Sequence, residues 1–347
     1  MTDPIQKLAL SRFASARLAA RPALAAELAD PAPFPRDEMA HALSNARDAD
    51  SLKAPLRRLR ERVVLRVMAR DLAGLADVAE VCGTMSDLAD VAVQAGLRAL
   101  GAEALAVVGM GKLGGRELNV SSDIDLVFLY PGDLDEHERF ERAGRALIRL
   151  LSETTEDGFV FRVDMRLRPY GDSGPLACNP GFLEEYFIKQ GREWERYAWI
   201  KARCLSGSPE FQEEISRVVR PFVFRKYLDY GTLSAMRGLH AEVRRDVARR
   251  ELAEHVKLGP GGIREVEFVA QALQLIRGGR EPELQARPTL PVLRLLGEKN
   301  LLPPEAVTEL ASAYVFLRNV EHRLQYLDDA QRHDLPAQPE ERALVAR

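Results

Sequence analysis

Residues 109–130 read GMGKLGGRELNVSSDIDLVFLY, and this stretch decides the fold. It begins like a glycine-rich phosphate-binding loop and ends like an acidic strand that holds metal ions. The loop alone is a weak signal, because it lacks the Gly-Lys-Ser/Thr ending of a P-loop and no long apolar helix follows it, as a dinucleotide-binding fold requires. The acidic end is therefore the more informative part.

Two aspartates, Asp123 and Asp125, stand where the predicted strand begins. Side chains alternate between the two faces of a strand, so both carboxylates are expected on one face. Ile124, Leu126 and Phe128 are expected on the other face, toward a core. Two adjacent carboxylates repel each other, and a divalent cation between them removes the repulsion. The alternative is a solvated surface pair, which the DxD pattern by itself favours.

A second alternating run, FRVDMRLRP at residues 161–169, changes this balance. Its apolar positions recur at every second residue, which predicts a strand over 159–167 with one face in the core. If this strand lies beside the first, Asp164 supplies a third carboxylate, and two magnesium ions fit among the three acids. Arg166 and Arg168 then match phosphate oxygens, although either could pair with a neighbouring carboxylate instead.

The pattern of apolar residues along the chain predicts three regions: N-terminal helices over 1–100, a catalytic domain over 101–205 and a helical bundle over 206–347. In the first, helical periodicity is interrupted by the proline cluster at 30–38. In the second, short β-rich runs lie at 104–110, 124–130 and 159–167, with an amphipathic helix pattern at 137–157. In the third, helical periodicity recurs at 232–253, 262–279 and 313–327. The predicted fold class is α+β, with a small mixed sheet between two helical regions.

Composition excludes several functional classes. The 49 Lys and Arg against 52 Asp and Glu give a net charge of −3, without the basic excess of a protein that follows a nucleic-acid backbone. No export signal and no run of about 18 apolar residues occurs, so we expect no membrane span. Cys82, Cys178 and Cys204 lie far apart without a CxxC pattern, which favours a reducing, cytoplasmic setting.

An arginine-rich helix is predicted over 51–75. Its arginines are spread around the helix with acidic residues among them, which we interpret as a solvated face and not as a polyanion site. They are Arg57, Arg58, Arg60, Arg62, Arg66 and Arg70.

Four long motifs occur in order: the opening stretch, FRVDMRLRPYGDSGPL (161–176), QGREWERYAWIKAR (190–203) and KLGPGGIREVEF (257–268). A glycine pair, a short spacer, an acidic strand and a third acid resemble the polymerase β-like nucleotidyltransferase superfamily. The full set resembles the glutamine synthetase adenylyltransferase family, also called glutamate-ammonia-ligase adenylyltransferase. Members carry two related catalytic copies, and the motifs of this sequence are similar to those of the N-terminal, adenylyl-removing copy. The chain is thus expected to be that half, ending before the second copy.

The resemblance implies a phosphorolysis, in which inorganic phosphate attacks the phosphorus of AMP carried by a tyrosine of glutamine synthetase. The products are ADP and unmodified glutamine synthetase, and control by the uridylylated PII signalling protein is implied as well. Magnesium, as two ions, is placed on Asp123, Asp125 and Asp164. Contacts to phosphate or to an ATP/ADP nucleotide are placed on Gly111, Lys112, Gly114, Gly115 and Ser122, with Arg166 and Arg168 as further candidates.

In the third and fourth motifs we expect mainly structural roles. Trp194, Tyr197 and Trp199 are expected to brace the sheet, and an adenine-stacking platform is the alternative. The polar neighbours Glu193, Glu195 and Arg196 remain open as cavity residues. The fourth motif is expected to begin a helix that packs through Ile263, Val266 and Ala270. Its polar side chains are expected outside the cleft, and a place in the cleft lining is the alternative for them: Arg264, Glu265 and Glu267.

Two other functions remain open. The three acids serve either direction of the reaction, so the domain could instead transfer AMP from ATP to glutamine synthetase. A regulatory nucleotide-sensing module without turnover is the third possibility, and the complete acid set argues against it.

Overall fold

The computed structural model describes residues 4–30, 32–132, 134–226 and 254–346, with Gly238, Arg245 and Leu252 as single positions between the last two segments. The helix predicted over 232–253 lies, apart from those positions, outside the described residues. Within them the class is α+β, as predicted: a small mixed sheet surrounded by helices. None of the described helices is long and apolar enough to span a bilayer.

The helices before the sheet are α1 (Pro4–Lys7), α2 (Arg12–Ala20), α3 (Ala23–Leu28), α4 (Arg36–Ala42), α5 (Ala49–Leu72) and α6 (Val78–Ala99). The long helix α5 begins at a capping box, in which the Asp48 carboxylate accepts from the Ser51 amide at 2.8 Å and the Ser51 hydroxyl accepts from the Asp48 amide. Asp77 caps α6 by accepting from the amide of Glu80 at 2.8 Å. These caps satisfy amides that would otherwise lack partners.

The arginines of α5 are mostly buried, so their interpretation as a solvated face was wrong. Arg57 and Arg60 are 1% and 5% exposed. The Arg57 guanidinium donates to the carbonyl of Gly158 at 2.8 Å, and that of Arg60 forms two 2.8 Å bonds with Asp329. Buried guanidinium groups require such partners. The helix therefore ties the N-terminal region to the sheet and to the end of the chain.

The sheet has strands β1 (Ala106–Gly109), β2 (Ile124–Leu129), β3 (Val163–Asp164), β4 (Ala177–Cys178) and β5 (Arg203–Cys204). Its order is β3-β2-β1-β5, and β4 pairs with the later part of β2. Strand β1 is antiparallel to both β2 and β5, whereas β3 and β4 run parallel to β2. The sheet is therefore mixed, as predicted.

The strand predicted over 159–167 is much shorter, because only β3 pairs with β2. On its N-terminal side the amide of Phe161 donates to the carbonyl of Leu151 instead of to a strand. On its C-terminal side the amide of Arg166 donates to the Asp164 carboxylate at 2.8 Å. A local side-chain bond of this kind turns the chain and ends the ladder.

Strand β2 is buried on both faces. Ile124, Leu126 and Phe128 lie in the core shared with the N-terminal helices, as predicted. On the other face Val127 and Leu129 pack in a second core with helices from the later part of the chain. Asp125 lies on that second face, one pleat before Val127, where apolar cover gives way to an open cavity.

The helices after β1 are α7 (Gly111–Gly114), α8 (His137–Ser152), α9 (Pro180–Lys189), α10 (Glu193–Trp199), α11 (Pro209–Val223), α12 (Ile263–Arg277), α13 (Thr289–Glu298), α14 (Pro304–Tyr326) and α15 (Pro339–Val345). Helices α12, α13 and α14 share a third core and confirm the helical periodicity of 262–279 and 313–327. Arg318 of α14 is fully buried and donates to the carbonyl of Glu117 at 2.7 Å. The helical region is thus bonded directly to the loop before β2.

Candidate active site

A cavity of about 580 Å³ opens beside the start of β2. Its walls come from the turn α7, the start of β2, helix α10, residues 257–271 and residues 331–333. Distant parts of the chain therefore meet at the strand end that carries the predicted acids.

Asp123 and Asp125 both line this cavity. Asp123 stands immediately before β2, and its carboxylate accepts from the Gln331 amide nitrogen at 3.1 Å. Burial, together with the nearby charges of Asp123 and Asp164, raises the pKa of Asp125 to about 7. A carboxylate in this position gains from a cation beside it.

Asp164 lies next to Asp125 along the sheet, since the two residues are register partners between β3 and β2. Its carboxylate is engaged by the Arg166 guanidinium at 2.8 Å, and this bond holds the pKa of Asp164 below its usual value. In the part of the chain that the structure describes, no three His, Cys, Asp or Glu side chains form a metal-binding group. Asp123 and Asp125 nevertheless fit magnesium, which is usually held by one or two carboxylates and substrate phosphates.

The glycine turn splits into a cavity side and a packing side. Gly111 lines the cavity at φ +51°, and a Cβ there would lie 3.1 Å from Asp125 Oδ2. Gly114 and Gly115 do not line the cavity. Their amides donate to the carbonyls of Met110 and Gly111 within the turn, so these amides already have partners. A Cβ on Gly114 would lie 1.9 Å from the backbone oxygen of Lys201, so Gly114 serves close packing.

Lys112 and Ser122 also line the cavity. The Lys112 ammonium donates to Glu321 of α14 at 2.6 Å, and burial lowers the Lys112 pKa to about 8. Glu321 is completely buried and also lies 3.0 Å from Nδ1 of His333, another cavity residue. The predicted phosphate ligand Lys112 is therefore engaged by an acid of the helical region.

Arg166 and Arg168 do not line the cavity. Arg166 is an exposed side chain that contacts Asp164, and Arg168 donates to the carbonyl of Met165 at 2.8 Å. Both arginines thus follow the alternative of pairing locally with the chain around β3.

Two cations of the fourth motif line the cavity and were not predicted to do so: Lys257 and Arg264. Within the described ranges neither has a carboxylate at salt-bridge distance, whereas Lys201, also in the lining, is bonded to Glu117 at 2.6 Å and Glu267 at 2.7 Å. The charge of Lys257 lowers the pKa of Asp125, which places this cation near the acids. The expectation that the polar residues of this motif lie outside the cleft was wrong, because the lining includes all three of them: Arg264, Glu265 and Glu267.

An aromatic wall, formed by Trp194, Tyr197 and Phe268, faces the same cavity. The rings of Tyr197 and Phe268 stack with centroids 5.8 Å apart and an interplanar angle of 29°. Trp199 is instead buried. Its ring and that of Phe187 are arranged edge to face, with centroids 5.2 Å apart. The bracing role predicted for three aromatic side chains is therefore correct for Trp199 and also for Tyr197, which packs against the second core while it lines the cavity.

The polar neighbours of this wall point into the protein. Glu195 accepts from the Tyr186 hydroxyl at 2.5 Å, and Arg196 donates to the carbonyl of Phe222 at 3.1 Å. Glu193 accepts from Arg196 at 2.5 Å. Glu195 and Arg196 thus fix α10 against α9 and α11, the Glu193 bond lies within α10, and none of the three lines the cavity.

Two family models match this chain. The one described as glutamate-ammonia ligase adenylyltransferase matches residues 2–218, which is more than half of the sequence. The chain belongs to this family. The second model, described as PII-uridylyltransferase, matches residues 237–347.

Curated relatives agree with this family. The chain is 56% identical to a protein of Aromatoleum aromaticum over 97% of its own length and 39% of the relative's, and 51% identical to one of Nitrosomonas europaea over 98% and 40%. A protein of Chromobacterium violaceum is 52% identical over 90% of this chain and 38% of its own. Each relative is named bifunctional glutamine synthetase adenylyltransferase/adenylyl-removing enzyme. The chain thus spans about 40% of their length.

The two matched segments contribute different chemistry to the cavity. Asp123 and Asp125 come from the segment shared with the adenylyltransferase family, together with Lys112. Lys257 and Arg264 come from the segment that matches the second model. The acids and these two cations of the cavity are thus brought together by folding of the two segments against each other.

Proposed function

We propose that this chain removes AMP from an adenylylated tyrosine of glutamine synthetase by phosphorolysis in the cytoplasm, releasing ADP. The observation that carries this proposal is that Asp123 and Asp125 share one cavity with the cations Lys257 and Arg264, which meet no carboxylate among the described residues. Phosphoryl-transfer sites typically combine carboxylates that hold magnesium with cations that bind phosphate oxygens. The removing direction rests on the resemblance of the four motifs to the N-terminal copy of the family.

The reaction exchanges one phosphorus–oxygen bond for another. An oxygen of inorganic phosphate bonds to the AMP phosphorus, and the bond from phosphorus to the tyrosine oxygen breaks. The tyrosine oxygen then takes up a proton, and ADP carries the transferred group away. A phenol has a pKa of about 10 and leaves more readily than an alcohol, so the site needs no dedicated proton donor.

The residues of the chain divide this work by charge. Asp123 and Asp125 would hold magnesium, with Asp164 joining them on release from Arg166. Magnesium bound there would neutralise charge on the phosphates and on the departing oxygen. Lys257 and Arg264 bind the anionic reactants and orient the attacking phosphate. The aromatic wall offers an apolar surface for the base.

The direct test is ADP release from adenylylated glutamine synthetase in the presence of magnesium and inorganic phosphate. We expect release by the wild-type chain and a loss of at least about 100-fold in the Asp123→Asn, Asp125→Asn double variant, because charge stabilisation is a dominant part of such reactions. The exposed Asp135→Asn variant is the matched control and keeps full activity. Unchanged ADP release in the double variant would overturn the proposal.

The direction is decided in a second reaction with ATP and unmodified glutamine synthetase, followed by mass spectrometry of the product. An added AMP on the tyrosine would favour the adenylylating alternative. Repeating the ADP-release reaction with uridylylated PII, and with unmodified PII as its control, tests whether this chain responds to that proposed regulator. Nucleotide binding without turnover in either direction would favour the sensing module.

A further inference from the structure

One buried amide in the cavity wall lacks a partner. Gln271 lines the cavity and is only 6% exposed, yet its side chain makes no hydrogen bond to any residue that the structure describes. Its neighbour Gln274, one turn on, donates to the carbonyls of Leu284 and Ala286 at 2.6 Å each. Neither of its amide atoms is sealed off from the cavity, so a ligand or water there satisfies both.

The position of Gln271 on α12 suggests which part of a ligand it meets. Arg264, Glu267, Phe268 and Gln271 all line the cavity, and their spacing places them on one face of the helix. Gln271 stands seven residues after Arg264, which is roughly 10 Å along the helix axis. This separation is comparable with the length of a nucleoside phosphate, whose anionic end would lie at Arg264.

The surroundings of Gln271 suit a heterocyclic base. Phe268 precedes it by one turn and, with Tyr197 and Trp194, forms the aromatic wall. Bases stack on aromatic rings without regard to their identity, so this wall alone does not choose among them. A carboxamide beside the wall does choose, since it presents one acceptor and one donor in a plane.

We propose that Gln271 recognises adenine in the nucleotide bound by this cavity. Its carboxamide oxygen accepts from the 6-amino group of the base, and its N–H donates to N7. Guanine and hypoxanthine present two acceptors at this edge, O6 and N7, so the carboxamide oxygen has no donor there and one of the two bonds is lost. The inference rests on the proposed nucleotide site and adds the residue that selects the base.

Isothermal titration of the whole chain with ADP and with inosine diphosphate, both with magnesium, tests this assignment. For the wild type we expect ADP to bind about tenfold more tightly, as one good bidentate base contact implies. In Gln271→Leu the preference for ADP disappears, because ADP loses two bonds to the carboxamide and inosine diphosphate loses one. The exposed Gln190→Leu variant is the control and retains the preference.

Equal wild-type affinities for the two nucleotides would overturn the assignment, and this comparison does not depend on whether a variant folds. An equal weakening of both nucleotides in Gln271→Leu would also overturn it, because the side chain would then act on a shared part of the ligand. A wild-type chain that binds neither nucleotide would contradict the proposed nucleotide site itself. Binding of both without discrimination would leave that site standing.

Discussion

The ammonium group of Lys112 lies 2.6 Å from the carboxylate of Glu321, although the two residues are 209 positions apart. This contact joins the glycine turn beside the acids to helix α14 of the helical region. Both side chains are withdrawn from bulk solvent, and Glu321 is the carboxylate that meets the Lys112 ammonium. The position of the glycine turn at the cavity is therefore coupled to the packing of α14.

Replacing Glu321 by Gln is expected to destabilise the chain by about 3 kcal/mol, because the variant leaves the buried ammonium of Lys112 without a counter-charge. Urea unfolding followed by circular dichroism measures the change. The control is Glu309→Gln on the exposed face of the same helix, with a change within about 0.5 kcal/mol. Equal unfolding midpoints for both variants would contradict the proposed coupling.

The pKa of Lys112 predicts how stability depends on pH. Burial lowers this pKa to about 8 from 10.5 in the unfolded chain, so the unfolded state binds more protons between those values. The contribution of Lys112 to the free energy of unfolding therefore rises with pH from about 8 to 10.5. Relative to Lys112→Met, the wild type is expected to gain stability over this window in parallel urea series. Curves that stay parallel from pH 7 to 10 would argue against a shifted lysine.

Asp125 predicts the effect of metal removal. Its pKa is raised from 3.8 to about 7 by burial and by the charges of Asp123 and Asp164, so stability is lost as pH rises between these two values and the full loss is present at pH 8. In EDTA at pH 8, the free energy of unfolding of Asp125→Asn is expected to exceed that of the wild type by about 2 kcal/mol. Magnesium should raise the melting temperature of the wild type and have little effect on the variant. A wild-type melting temperature indifferent to magnesium would contradict the metal assignment.

The Gly114→Ala variant tests whether the fold needs glycine at this position for close packing. A Cβ at this position would lie 1.9 Å from the backbone oxygen of Lys201, so we expect a loss of about 3 kcal/mol or a failure to fold. Gly83→Ala in α6 is the matched control, since nothing lies within 4 Å of the added methyl group. Helix propensity then predicts a gain of up to about 1 kcal/mol. Thermal melts of the two variants measure both effects, and a stable Gly114→Ala would show that the turn can open.

The alternation of side chains along a strand was sufficient to predict that the two acids at the start of β2 lie together and which residues of β2 face the core. This alternation depends on nothing outside the local sequence. The partners of buried charges were beyond such reasoning. Arg60 meets Asp329 across 269 positions, and no local pattern shows that this guanidinium is inside the protein. Likewise, the bond from Arg166 to Asp164 competes with strand pairing, and the sequence does not state which interaction prevails.

Within the third motif the sequence also left a choice between neighbours. Tyr197 and Trp199 stand two positions apart on the short helix α10, which directs one ring to the cavity and the other to the core. Lys257 and Arg264 carried no signal by themselves, because isolated cations usually lie in solvent. Their place in the cavity follows from the packing of the helical region, which a single sequence does not specify.

The division of the cavity between two chain segments makes the site modular. The acids lie at the start of strand β2 in the first segment, whereas Lys257, Arg264 and Gln271 lie in the second. Recombination that exchanges residues 254–346 for those of a distant relative would leave Asp123 and Asp125 in place and replace the groups that we propose to meet the phosphate and the base. On these proposed assignments, the acids that would hold magnesium and the residue that selects the base can be inherited separately.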